Sequence, residues 1–292
     1  GSADAARNIG LSPNRVHFIH KRDETMESVH KSAKLPYGWL IGMTAVILFI
    51  SGSFIAVDWL NALQSLGSIY PAYVKPLVSL LCLVMVVLGY RWRLSKRDFR
   101  LLLFAFLCIL IVDICMSIYV YAAPEVDTGI IFLIGAGLSI VAHLILIVRH
   151  AQGFKFIHLS LSGKPVPYWR NLGFPLWFFI PVIALLIFLS PMLIKVNQFL
   201  PSLVYALILT TSLWVAWEVV RRRLFPTANA WLLAAGVTSW FITEVVGVVH
   251  NIQIGFLSDI SVPLTWHFYM PAILLLALSG YCWKAEHPKH TH

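Results

Sequence analysis

The stretch FRLLLFAFLCILIVDICMSIYVYAA, residues 99–123, decides how this chain is read. It exceeds the roughly 20 apolar residues with which a helix crosses a hydrocarbon core about 30 Å thick. Near its middle stands one acid, Asp113. Lipid offers no hydrogen bonds, so a segment that spans it must satisfy its backbone internally and therefore coils into a helix. An ionisable side chain at that depth is costly and is seldom left alone. Asp113 therefore marks a site, and its partners lie on other helices.

Seven more apolar blocks accompany it. The eight expected spans cover 38–57, 69–90, 99–121, 129–149, 174–195, 199–220, 229–251 and 264–283. With 59% hydrophobic and 12% charged residues, the chain reads as an all-α, multi-pass integral membrane protein: a bundle of eight transmembrane helices over residues 38–283. Residues 1–37 read as a polar tail, with Gly1-Ser2 as a cloning remnant, and residues 284–292 as a short second tail.

The net charge of +9 is not read as a nucleic-acid signal, because the basic residues are sorted by side. Six precede span one and five follow span two, from Arg91 to Arg100. Arg149, Lys155, Lys164 and Arg170, then Arg221 to Arg223, then Lys284 and Lys289 fall on the same side, leaving only Lys75 and Lys195 for the other. The positive-inside rule then puts both termini in the cytoplasm, of a bacterial inner membrane if the source is bacterial. Trp39, Trp59, Trp92, Trp177 and Trp266 sit near span ends and fit an interfacial belt. The four cysteines fall inside spans without C-x-x-C spacing, so neither a disulfide framework nor a zinc knuckle is expected.

The polar residues inside the spans carry the functional reading. Asp113 lies about 21 Å, and Glu244 about 22 Å, along their helices from the cytoplasmic end, so the two acids match in depth. If spans three and seven are neighbours, the acids face one cavity and share their protons as a pair. Trp240, Gly247 and Asn251 share the face of Glu244. Span four adds Ser139 and His143, on a helix thinned by Gly135 and Gly137. Lys75, followed by Pro76, interrupts span two near its outer end, and Tyr205 and His267 complete the outer half. Plainer roles are open to each: a helix-locking hydrogen bond for the acids and His143, an interfacial anchor for Tyr205 and His267, a snorkelling cation for Lys75.

In order along the chain, YVKPLVSLL, CILIVD, FLIGAGLSIVAH, LVYALILTTSLWVAW, AGVTSWFITEVVGVVHN and FYMPAILLLALSG resemble the motifs of the lysoplasmalogenase-like YhhN membrane family, over residues 38–283. The resemblance implies eight spans and hydrolysis of the vinyl ether bond of lysoplasmalogens, releasing a fatty aldehyde and glycerophosphoethanolamine or glycerophosphocholine. It puts the two acids of the family on Asp113 and Glu244, its Lys-Pro on Lys75-Pro76, its His on His143, its Tyr on Tyr205 and its Asn on Asn251. The chain departs from the family pattern at Val112, where Gly is usual, at Glu244 after Thr243, where Asp after Ser is usual, and at Leu146, where Tyr is expected.

The chemistry suits two carboxyls. Protonation of the alkene carbon gives an oxocarbenium ion, water captures it, and the hemiacetal collapses to aldehyde and alcohol. A positioned acid beside a second carboxylate meets that need, as in glycoside hydrolysis, without metal, nucleotide or other cofactor. Asp113 and Glu244 are the expected catalytic pair; Lys75, His143, Tyr205, Trp240 and Asn251 are expected to bind the lysophospholipid, whose chain lies among membrane lipids. Two other classes stay open. Ser139-x-x-x-His143 with Asp113 faintly resembles zinc-dependent ceramidase-like hydrolases, which also need a His pair that spans seven and eight lack. Buried carboxylates also serve proton- or cation-coupled transporters and sensors, although no internal repeat is seen.

Overall fold

The computed structural model describes residues 37–63, 71–121, 128–152, 173–195, 199–251 and 256–283. The expected tails therefore lie outside the described residues, apart from Tyr37. Among the described residues eight helices follow one another: α1 (Tyr37–Leu63), α2 (Pro71–Leu88), α3 (Lys96–Tyr121), α4 (Gly129–His150), α5 (Gly173–Lys195), α6 (Phe199–Arg221), α7 (Thr227–Asn251) and α8 (Phe256–Leu278). A short 3-10 turn, Gly89–Trp92, extends α2, and no strand occurs among the described residues. Among the described residues seven helices are long and apolar enough to cross a membrane, and α8 is apolar over Pro263–Leu278. Large apolar side chains such as Phe49, Trp177 and Phe188 are three-quarters exposed. Outward-facing apolar surface on this scale belongs in contact with lipid.

The packing defines a ring. Helix α2 packs on α3, α3 on α4, α4 on α6, α6 on α7, α7 on α8, and α8 returns to α2. Helix α1 wedges on the outside against α2 and α8, whereas α5 packs chiefly on α6. Close approach at two seams needs glycine. A Cβ at Gly236 of α7 would stand 3.0 Å from Leu276 and 3.1 Å from the Ala272 carbonyl of α8, and one at Gly135 of α4 would stand 3.0 Å from Met116 of α3. Of the two glycines expected to thin α4, only Gly135 meets a neighbour, because Gly137 faces open space.

One end of the bundle is fastened by polar groups. Ser95 caps α3, its hydroxyl accepting from the Asp98 amide at 3.0 Å. The Asp98 carboxylate then takes the guanidinium of Arg149, from the end of α4, through two bonds of 2.9 and 3.2 Å. Arg149 is wholly buried and also donates to the Ser279 hydroxyl and carbonyl just beyond α8. Asn229, at the start of α7, donates to the carbonyls of Ser279 and Tyr281. Tyr281 reaches the Met85 carbonyl of α2 at 2.5 Å, and burial pushes its phenol up from the ordinary tyrosine value. The starts of α3 and α7 and the ends of α2, α4 and α8 thus meet at one end, with Trp39 of α1 packed on Trp92 and Tyr281. Successive helices therefore alternate in direction.

Several expectations change against this frame. Helix α8 ends at Leu278, earlier than the expected 283, because the chain turns at Ser279-Gly280 and Cys282 donates its amide to the Trp92 carbonyl at 2.7 Å. A Cβ at Gly280 would sit 2.5 Å from a methyl of Leu102, so a larger residue at that turn would require the Leu102 side chain to shift. Cys282 consequently lies outside α8, although no disulfide forms among the described residues. Arg149 is an internal ion-pair partner and not a loop charge, and Glu218 similarly binds Arg221 and Arg222. Helix α2 runs on through Pro76 instead of breaking there. A proline so near the helix start removes one backbone donor and little else.

Breaking a buried pair strands a charge and typically costs about 3–5 kcal/mol, whereas replacing both partners by apolar groups is far milder. Asp98→Leu is therefore expected to lower stability by about that amount. Adding Arg149→Met should recover at least half of the loss, measured by unfolding of the purified protein in detergent.

Candidate functional site

Asp113 and Glu244 each lie 17 residues past the first residue of their helices, α3 and α7. The match in depth read from the sequence is reproduced, but α3 packs on α2 and α4, while α7 packs on α6 and α8. The two acids consequently do not face one cavity: they are linked across the ring only through aromatic side chains, and not along a shared helix seam.

Asp113 is completely buried and saturated with donors. Lys75 of α2 stands 3.2 Å from Oδ1. Ser79, one turn further along α2, donates to Oδ2. The Tyr269 hydroxyl of α8 donates to both oxygens, at 2.7 and 2.5 Å. The ammonium of Lys75 also lies 4.7 Å from the centre of the Tyr269 ring and 5.3 Å from that of Trp266, within reach of cation–π attraction. A single carboxylate therefore ties α2, α3 and α8 together, and Lys75 is spent on that pair instead of standing free at an outer mouth.

Glu244 is held differently. Its Oε1 accepts the indole N–H of Trp240, one turn earlier on α7, at 3.0 Å. Trp240 in turn packs edge-on against Tyr269 with centroids 6.2 Å apart, and in a tilted arrangement against His143 at 4.5 Å. The chain Asp113, Tyr269, Trp240, Glu244 is therefore continuous. On the other flank Ser139 of α4 and Tyr205 of α6 share a hydrogen bond of 3.1 Å, and the His143 ring packs edge-on to Tyr205 at 5.9 Å. His143 is buried, and among the described residues neither ring nitrogen has a hydrogen-bond partner, so its company is aromatic.

Glu244 and Tyr205 also line a cavity of about 620 Å³, well within the roughly 300–1,000 Å³ range of small-molecule sites. Its remaining wall is chiefly aliphatic, from Val182 to Leu193 of α5, Ala206 and Leu209 of α6 and Phe241 to Val248 of α7, with Phe132 of α4 and, at one end, Lys195 and Ser202. Asp113 does not line it. Of the two acids, one is enclosed in an ion pair and the other fronts an apolar chamber.

Lys75, His143, Tyr205 and Trp240 thus join the two acids in one network, while Asn251 closes α7 with its side chain outside those described. His267 bonds Trp59 of α1 at 3.2 Å, an anchoring role at the rim. Trp266 is no interfacial anchor, since it is buried against Phe54 and Tyr269. Sequence reasoning missed Ser79 and Tyr269. Both stood inside quoted motifs, and Ser79 follows Lys75 by four residues, on the same helical face. Among the described residues no three of His, Cys, Asp and Glu converge as a metal would require. Comparison with known proteins finds no matching family model, no similar curated protein and no similar solved structure.

Removing Lys75 leaves Asp113 buried without its cation. Lys75→Met is expected to destabilise by about 3–5 kcal/mol. Lys75→Met with Asp113→Asn should be milder than the single change, as read by unfolding in the same detergent.

Proposed function

We propose that the chain is an intramembrane lipid hydrolase that cleaves the vinyl ether of lysoplasmalogens, as its resemblance to the YhhN family implies, with its basic end in the cytoplasm. The observation that carries the reading is one carboxyl, Glu244, on the wall of an otherwise greasy chamber of lipid-chain dimensions. Glu244 delivers its proton to the alkene carbon distal to the ether oxygen, forming a C–H bond and leaving an oxocarbenium ion. The resulting carboxylate stabilises that cation and takes a proton from the attacking water, which restores the acid. The hemiacetal then breaks at the glycerol oxygen, giving aldehyde and glycerophospho-alcohol, and one water is consumed. In an enclosed site of low dielectric the charge on the carboxylate acts on the cation far more strongly than it would in water.

Asp113 has a positioning role in this mechanism. Its ion pair fixes Tyr269, which buttresses Trp240, which aims Glu244. Tyr205, beside Glu244 on the wall, orients water or the ether oxygen. The proton- or cation-coupled transporter remains the second reading, favoured by the polar side chains that the ring encloses; it requires uptake into proteoliposomes without lipid cleavage.

A positioned acid contributes roughly 10²- to 10⁴-fold to rate. Glu244→Gln, nearly the same in shape, is expected to reduce aldehyde release from a lysoplasmalogen by at least about a hundredfold. Tyr269→Phe should reduce it less. Undiminished turnover in Glu244→Gln rejects the mechanism.

A further inference from the structure

The cavity has a direction. Helices α5 and α6 are joined across residues 196–198, so Lys195 and Phe199 lie at the same end of the bundle. That end is opposite the Asp98–Arg149 fastening, because α6 descends to Arg221 beside the start of α7 at Thr227. Lys195 and Ser202 therefore mark the cavity's outer mouth. Tyr205 lies one turn deeper on α6, and Glu244 lies one turn below Val248 on α7. Leu209, Phe241 and Val182 line the deepest part. From Lys195 to Val182 the α5 wall runs 13 residues, about 20 Å.

Lys75 and Lys195 are the two cations of the outer half, and Lys75 is engaged by Asp113. Lys195 is exposed and, among the described residues, has no ion-pair partner. The order from mouth to floor is thus cation and hydroxyl, then carboxyl and phenol one to two turns down, then hydrocarbon. One to two turns is about 5–10 Å, the reach of a glycerol arm.

We infer that Lys195 and Ser202 form the phosphate-binding subsite for a single-chain glycerophospholipid whose hydrocarbon tail fills the cavity toward Val182 and Leu209. The inference rests on the reading of this cavity as a lipid site and adds the residues that choose the head group. A lysine is a compact point charge suited to phosphate, and a serine hydroxyl supplies a second donor. The aliphatic wall of this cavity, about 20 Å long on α5, accommodates one chain, whose first carbons come to rest beside Glu244. Because α5 packs chiefly on α6, the wall it forms toward α4 and α7 provides the lateral way in from the bilayer.

The test is binding, separate from chemistry. Native mass spectrometry of the full chain in detergent would compare oleoyl lysophosphatidylcholine, whose ester is not a vinyl ether, with uncharged monooleoylglycerol. The wild type is expected to bind the phospholipid at least tenfold more tightly. Lys195→Glu should erase that preference while still binding monooleoylglycerol, Lys195→Arg should keep it, and Leu186→Trp, which fills the cavity, should lose both ligands. A preference that survives in Lys195→Glu overturns the subsite, and full binding in Leu186→Trp overturns its location. If Glu244→Gln leaves aldehyde release intact while the head-group preference holds, the hydrolase chemistry fails and the binding site stands.

Discussion

Asp113 holds this bundle's interior together. A carboxylate cannot be left alone at the centre of a membrane helix, and here three donors from two other helices meet it: the Lys75 ammonium, the Ser79 hydroxyl and the Tyr269 phenol. The consequence is geometric as much as energetic. Tyr269 has both carboxylate oxygens within hydrogen-bond distance, so its ring has little freedom to tilt, and Trp240 and His143 stack outward from it. In a bundle whose helices gain little from hydrophobic association, because lipid is as apolar as their own surfaces, such polar contacts fix which helices are neighbours.

The same arrangement puts the two acids in different surroundings. Asp113 is surrounded by donors and closed off, whereas Glu244 has Trp240 behind it and an aliphatic chamber in front. A reactive carboxyl is useful only where substrate can reach it and water can be rationed. Helix α5, packed chiefly on α6, supplies one wall of the chamber, and Asp98, Arg149, Ser279 and Asn229 fasten the opposite end of the bundle.

Much of this was legible in the sequence, and the rest was hidden for identifiable reasons. Apolar length alone located the eight described helices, seven of them long and apolar enough to cross a membrane, since lipid leaves the backbone no alternative. Helix ends were less visible: α8 stops at Leu278 because Gly280 must pass close to Leu102 and Cys282 pairs with Trp92, long-range contacts that no local pattern announces. The two acids stood out by chemistry. The role of Lys75 did not, because at the outer end of a span a lysine for lipid phosphate and a lysine for a buried carboxylate read alike until the neighbouring helix is known. Tyr269 was overshadowed by His267 and Trp266 beside it, and Arg149 was counted as a topology charge although Ser95-x-x-Asp98 signalled a capped and acidic helix start.

The central claim is that one carboxyl is open to the hydrocarbon phase and the other is sealed. A hydrophobic carbodiimide modifies carboxyl groups that can be reached from lipid, and peptide mass spectrometry locates its adducts. Treatment of the purified protein should label Glu244 and leave Asp113 unmodified, with labelling suppressed by a single-chain lipid. An adduct on Asp113 with Glu244 untouched would contradict the account.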